Sequence, residues 1–261
     1  MTDTRPEHGP DPAGEPLVAS TMLHVRGATP EAVEEALTAI FAADDRPRVL
    51  RLEGTYSAVL ARAADPGLKA AYRYLIFRAH DAPWVPVLEV GTRGEGLDVA
   101  ISAALDGADV FSVFIYGDGL SGYRLARDGN AVDRYVSDPT AFASEPLTAE
   151  EIEAERGHPE RFADLLPVGT TAEAFERVVL RQGWWEDYDA GRSAAQGAEA
   201  ARGDAGAGDE GDEVDLVDEA DRARCIALAL ELWGPSEYPF ATDLEDLTNR
   251  VVGPALALAF E

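Results

Sequence analysis

The strongest periodic signal in the chain is TPEAVEEALTAIFAA, residues 29–43, where Val33, Leu37, Ile40 and Phe41 recur at helical spacing. Thr29 is a natural N-cap, Pro30 falls at the first helical position, and acids occupy the first turn. After this helix the period drops to two. RVLRLEG (48–54) and YSAVLAR (56–62) alternate apolar with polar residues and read as a hairpin or two successive strands. AYRYLIFRA (71–79) reads as a strand because Tyr74, Ile76 and Phe77 favour pleated backbone. WVPVLEV (84–90) reads as a strand in which Pro86 demands an edge position or a bulge.

The next stretch repeats this order. LDVAISAAL (97–105) is helical, VFSVFIY (110–116) and GYRLAR (122–127) are strands, and Arg127-Asp128-Gly129-Asn130 is a hairpin turn before AVDRYVS (131–137). A shift of 65 residues brings Leu23 onto Leu88, Val25 onto Val90, Asp44 onto Asp109 and Gly54 onto Gly119. The same shift brings Leu60, Ala61 and Arg62 onto Leu125, Ala126 and Arg127. The expectation is an α+β fold with two tandem βαββ units forming an antiparallel sheet, with helices on one side. A helical C-terminal part follows, since TAEEIEAERG, PERFADLL and TAEAFERVVLRQ each open on a Thr or Pro start signal. The expected organisation is a disordered arm over 1–18, a tandem domain over 19–137, and a helical region over 138–261 packed on it. Residues 190–213 are Gly/Ala/Asp-rich and read as an acidic mobile loop, with a last helix near 215–233.

Composition narrows the function classes. The chain has 261 residues, and its net charge of −27 repels phosphate backbones, which disfavours direct nucleic-acid and anionic-membrane binding. No apolar run reaches the length of a membrane span, and the first residues lack the basic and apolar stretches of a signal peptide. Cys225 is the only cysteine, so no internal disulfide forms, and its apolar neighbours read as a buried helix face. A cytoplasmic location is expected. The charge points to a basic protein partner, with plain solubility as the bland explanation.

Catalytic motifs are scarce. Gly117-Asp118-Gly119-Leu120-Ser121-Gly122 matches a dinucleotide fingerprint, but its glycines open a strand rather than a helix, so a tight turn explains them better. His8, His24, His80 and His158 are scattered with no metal-ligand spacing, and no G-x-S-x-G is present. The aspartates between 209 and 221 lack the order of a calcium loop and read as a solvated acidic face. No catalytic residue, metal or cofactor is expected.

The candidate partner-binding residues are therefore Trp184, Trp185 and Tyr188, together with Asp209, Glu210, Asp212, Glu213 and Asp215. Paired tryptophans beside carboxylates suit an exposed anchor for a basic partner. The competing reading is that one or both cover the core at a helix end. Residues 186–221 carry thirteen acids against Arg192 and Arg202, a net of −11.

Within residues 116–142, Tyr123, Leu125, Arg127, Asp128, Gly129, Val132, Asp133, Tyr135, Pro139 and Phe142 form a hairpin pattern. It resembles one recurring in uncharacterised bacterial α+β proteins, and that resemblance implies no catalytic residues. At the level of class, the chain is similar to acidic immunity proteins that bind toxins in the cytoplasm. The function expected is a non-enzymatic acidic protein-binding module, immunity- or antitoxin-like. The alternatives are an enzyme or small-ligand binder with a site assembled from scattered Asp, Glu, His and Arg, and a DNA-mimic regulator. A pocket lined by Arg124, Arg127 or His80 with convergent carboxylates would favour the first alternative.

Overall fold

A computed structural model describes residues 19–77, 84–90, 96–116, 120–141, 143, 145–166, 168–180, 185–186, 188–190 and 254–261. Its framework is one eight-stranded antiparallel sheet. The strands are β1 (Ala19–Arg26), β2 (Arg48–Thr55), β3 (Tyr72–Phe77), β4 (Trp84–Glu89), β5 (Asp109–Tyr116), β6 (Leu120–Arg127), β7 (Asn130–Val136) and β8 (Pro254–Phe260). Their spatial order is β2-β8-β3-β4-β1-β5-β6-β7.

Helix α1 (Pro30–Ala43) forms where the sequence predicts it, and the Thr29 side chain accepts from the Ala32 N–H. Helix α3 (Leu97–Ala104) packs beside α1 on the same face of the sheet. Together they bury Leu23, Val25, Tyr74, Ile76, Val87, Val110 and Leu258. Full burial of each such side chain contributes about 1.5–3 kcal/mol.

The residues alternating with these point to the opposite face, which is also covered. Helix α2 (Tyr56–Ala63) seals Met22, Leu75, Leu88 and Ala257 there. A second cluster, built from Trp84, Phe111, Tyr123, Leu125 and Tyr135, is closed by Phe162, Phe175, Leu180 and Trp185. Those covering residues follow the short helix α4 (Ala149–Ala154) in the chain. They come from a 3-10 turn (Pro159–Phe162), the helix α5 (Ala172–Phe175) with its π-helical continuation (Glu176–Leu180), and Trp185 beyond it. The expectation of helices on one side is thus corrected: the sheet is sandwiched.

Three further expectations change. YSAVLAR is helix α2 rather than a strand, because Tyr56, Val59, Leu60 and Ala63 recur at helical spacing and all are buried. The triplets Leu60-Ala61-Arg62 and Leu125-Ala126-Arg127, which match in sequence, therefore adopt a helix and a strand. The order strand–helix–strand–strand is met by β4-α3-β5-β6, while the first stretch runs β1-α1-β2-α2. Strand β4 is interior, between β3 and β1, although it carries Pro86. Its ladder with β3 covers Val87–Glu89 and stops before the proline, so the missing N–H falls outside that ladder. Finally, PALALAF forms β8, inserted between β2 and β3 far from its neighbours in sequence. The predicted disordered arm and most of the predicted loop at 190–213 lie outside the described residues, as does the helix near 215–233.

The predicted hairpin turn holds. β6 and β7 are joined by Asp128 and Gly129 with φ of 51° and 70°, the positive pair that suits a right-twisted ribbon. The Gly-rich stretch before Gly122 likewise connects two antiparallel strands, β5 and β6, and not a strand and a helix.

Candidate functional site

Strand alternation sets a row of polar side chains beneath the first turn of α3. Tyr74 on β3 lies opposite Glu89 on β4. Farther across the sheet, Leu23 pairs with Ser112, Ser112 with Arg124, and Arg124 with Arg134. Directly opposite residues share a face, so the side of the sheet that faces α3 carries Glu89, Ser112 and Arg124. Helix α3 then lowers Leu97 and Asp98 onto this row. The result is a small cleft of about 10 Å3, room for about one water molecule, lined by Thr21, Leu23, Glu89, Leu97, Asp98, Ser112 and Arg124.

Two of its charged groups are already paired with each other. Asp98, buried, pairs with Arg124 at 3.1 Å. The Ser112 hydroxyl donates to the Arg124 carbonyl at 3.4 Å. Arg134 and Glu155 pair at 2.7 Å on the neighbouring rim. Burial pushes the Glu155 carboxyl above its usual range, against the pull of the Arg134 and Arg124 charges. Burial, and then the negative charge of Glu89, pushes the Tyr74 phenol far up, so it stays a protonated donor beside that carboxylate. Chemically, the cleft offers carboxylates to a cation and a guanidinium to an anion. No histidine lines it, so it has no nucleophile–base pair of serine-hydrolase type among the described residues.

Sequence reasoning names Arg124 as a pocket residue but does not place Glu89, Asp98 and Ser112 beside it. The alternation of β3, β4 and β5 is visible in the sequence; which strands lie side by side is not.

Of the predicted partner-binding residues, two are described. Trp185 is fully buried, donates its indole N–H to the Val136 carbonyl at 2.8 Å, and carries the Arg156 guanidinium 5.2 Å over its ring. Tyr188, half-buried, meets Trp185 edge-on at 5.7 Å. Arg156 in turn donates two hydrogen bonds to Asp189, at 2.8 and 2.5 Å. The covering reading therefore holds for Trp185, which is a core residue and not an exposed anchor. Trp184, Asp209, Glu210, Asp212, Glu213 and Asp215 lie outside the described residues, as do His80 and Cys225.

A further buried carboxylate, Asp133, fastens the layer that holds Trp185. It accepts from the Tyr123 hydroxyl at 2.8 Å and from the His158 N–H at 2.9 Å, with Arg161 3.4 Å away. Burial raises its pKa, and those hydrogen bonds pull it back.

Among the described residues no group of three or more His, Cys, Asp or Glu is placed to hold a metal, and no helix is long and apolar enough to cross a membrane. No protein family, curated protein or solved structure matches the chain.

Proposed function

We propose that this chain is a non-enzymatic protein-binding module, of immunity or antitoxin type, which acts in the cytoplasm by presenting a carboxylate-rich surface to a basic partner. The observation that carries this reading is how the positive charges are used. Arg48, Arg51, Arg62, Arg124, Arg127, Arg134, Arg156 and Arg161 each pair with a carboxylate of the same chain. Glu35, Asp44, Asp45, Asp106, Asp128, Glu150 and Glu173 meanwhile stand on the surface. With these eight arginines engaged within the chain and a net charge of −27, the molecule offers an incoming protein a predominantly negative field, and the tract at 186–221 contributes a net −11 to it. Such a field accelerates encounter with a basic surface and weakens with salt.

The tandem βαββ origin belongs to the same proposal. It takes β1-α1-β2 and β4-α3-β5 as two copies of one unit, whose fourth element became α2 in the first and β6 in the second. The hairpin resemblance to uncharacterised bacterial α+β proteins fits a family of such modules.

The test is capture of partners on the tagged full chain at low and high salt, followed by binding measurements with the purified partner. A stoichiometric basic protein released by salt supports the reading. A partner indifferent both to salt and to neutralisation of Asp209, Glu210, Asp212, Glu213 and Asp215 contradicts it.

A second reading is favoured by one observation: Glu89, Asp98 and Arg124 converge on the cleft under α3. On that reading the cleft holds a small polar ligand that carries both an ammonium and a carboxylate. A thermal-shift screen with free amino acids tests it. Stabilisation lost in Glu89→Gln supports it, and no shift at millimolar ligand contradicts it.

A further inference from the structure

Thr21, Glu89, Asp98, Ser112 and Arg124 bring polar atoms to the cleft under α3. Thr21 and Glu89 adjoin the Met22–Leu88 pair on β1 and β4. That pair turns to the α2 side, so both of its neighbours turn to the α3 side. All of these polar residues except Arg124 are more than nine-tenths buried. Thr21 is 6 % exposed, and among the described residues its hydroxyl makes no hydrogen bond. A buried hydroxyl without a partner costs free energy, so one aimed into a polar space points to an occupant it can bond.

Charge, acceptors and size together specify that occupant. Two carboxylates against one guanidinium leave the lining with an excess of negative charge. Arg124 already pairs with Asp98 at 3.1 Å, so an anion would meet a neutralised guanidinium and a second carboxylate. The remaining polar atoms are mostly acceptors. A carboxylate has about four lone-pair sites, so Glu89 and Asp98 keep acceptors for an occupant while they hold their own partners. Ser112 uses its proton on the Arg124 carbonyl at 3.4 Å, which leaves its lone pairs to accept. The space takes about one water-sized group. An ammonium group has that size, a positive charge, and donors only. A guanidinium is planar and wider.

We propose that the cleft is a binding site for an ammonium group, held by the oxygens of Thr21, Glu89, Asp98 and Ser112 while the rest of the ligand stays outside. The inference rests on the second reading above and names which end of the ligand enters.

NMR titration of the full chain tests this, with the amides of Thr21, Asp98 and Ser112 as reporters. The probes are ammonium and methylammonium chloride, each against sodium chloride at equal ionic strength, followed by glycine. Ammonium and methylammonium are expected to move the reporters saturably, and sodium is not. Thr21→Val keeps the branched shape and removes the hydroxyl, and is expected to weaken methylammonium binding about five- to tenfold. Ser112→Ala is expected to weaken it in the same direction, and circular dichroism checks that both variants are folded. Shifts that sodium reproduces overturn the proposal, as does an affinity unchanged in both folded variants. Reporters silent towards ammonium and methylammonium mean that the cleft holds water only, and overturn it as well. If glycine still moves them, the cleft remains a ligand site and the ammonium assignment alone falls. If glycine is silent too, the second reading falls with it.

Discussion

The Trp185 indole N–H and the Val136 carbonyl, 2.8 Å apart, tie Trp185 to the last residue of β7. The bond matters because both groups are buried, and neither has water to fall back on. Trp185→Phe keeps most of the ring's bulk but strands the Val136 carbonyl. It is expected to lower stability by about 1–3 kcal/mol in urea unfolding. Trp185→Ala, which also opens a cavity, is expected to cost about 3–5 kcal/mol. A neutral Trp185→Phe variant would show that Trp185 is not docked as described.

Gly122 and Gly96 provide a paired test of close approach. A Cβ on Gly122 would collide with the Tyr135 carbonyl oxygen and lie 2.6 Å from the Phe114 ring. The backbone of a two-sided ladder yields little, so Gly122→Ala is expected to cost about 3 kcal/mol. At Gly96, φ is +73° and nothing lies within 4 Å of a built Cβ. Gly96→Ala should therefore cost only the backbone strain, about 1–2 kcal/mol. Thermal unfolding of the two variants side by side checks the order.

Within the cleft, Asp98 depends on Arg124. Arg124→Met leaves the buried carboxylate without its ion pair and is expected to cost about 3 kcal/mol. Adding Asp98→Leu removes the orphaned charge and should recover much of that loss. The double-mutant cycle measures the coupling directly. Additive effects would show that the pair is not coupled.

Helix α4 carries a pH signature. Thr148 and Glu151 form a capping box, in which the Glu151 carboxylate accepts from the Thr148 N–H at 2.7 Å and from its hydroxyl at 2.8 Å. These bonds hold the Glu151 pKa below its ordinary 4.5. A carboxylate depressed in the folded state contributes stability above its unfolded pKa and loses it as pH falls through the folded value. The cap should therefore stay closed from neutral pH to below 4.5 and then open. NMR titration of Glu151, with the Thr148 amide as reporter, checks this; a midpoint at or above 4.5 would contradict the box.

Much of this architecture is local and legible from sequence. Thr29, Pro30 and the Val33/Leu37/Phe41 stripe define α1 without help from the rest of the chain, and Asp128-Gly129 defines its turn. Helix α2 is misread from sequence because YSAVLAR satisfies both periods, and only its packing against Leu75 and Leu88 selects the helix. Strand β8 is not anticipated because its place between β2 and β3 depends on pairings across some two hundred residues. The cleft is hidden for the same reason. Glu89, Ser112 and Arg124 are ordinary in their own strands, and only sheet order brings them together. For Trp185 the sequence leaves both an exposed anchor and a cover for the core open, and only its buried acceptor, the Val136 carbonyl, decides for the core.

The central claim is that a carboxylate surface recognises a basic protein. The measurement that bears on it most directly is the dissociation constant of the captured partner against salt. It should be made for the wild-type chain and for one with Asp209, Glu210, Asp212, Glu213 and Asp215 changed to their amides. Affinity that falls steadily with salt, and a shallower slope in the neutralised chain, is the predicted result. Affinity and slope unchanged by neutralisation, or the absence of any stoichiometric basic partner, would contradict the account.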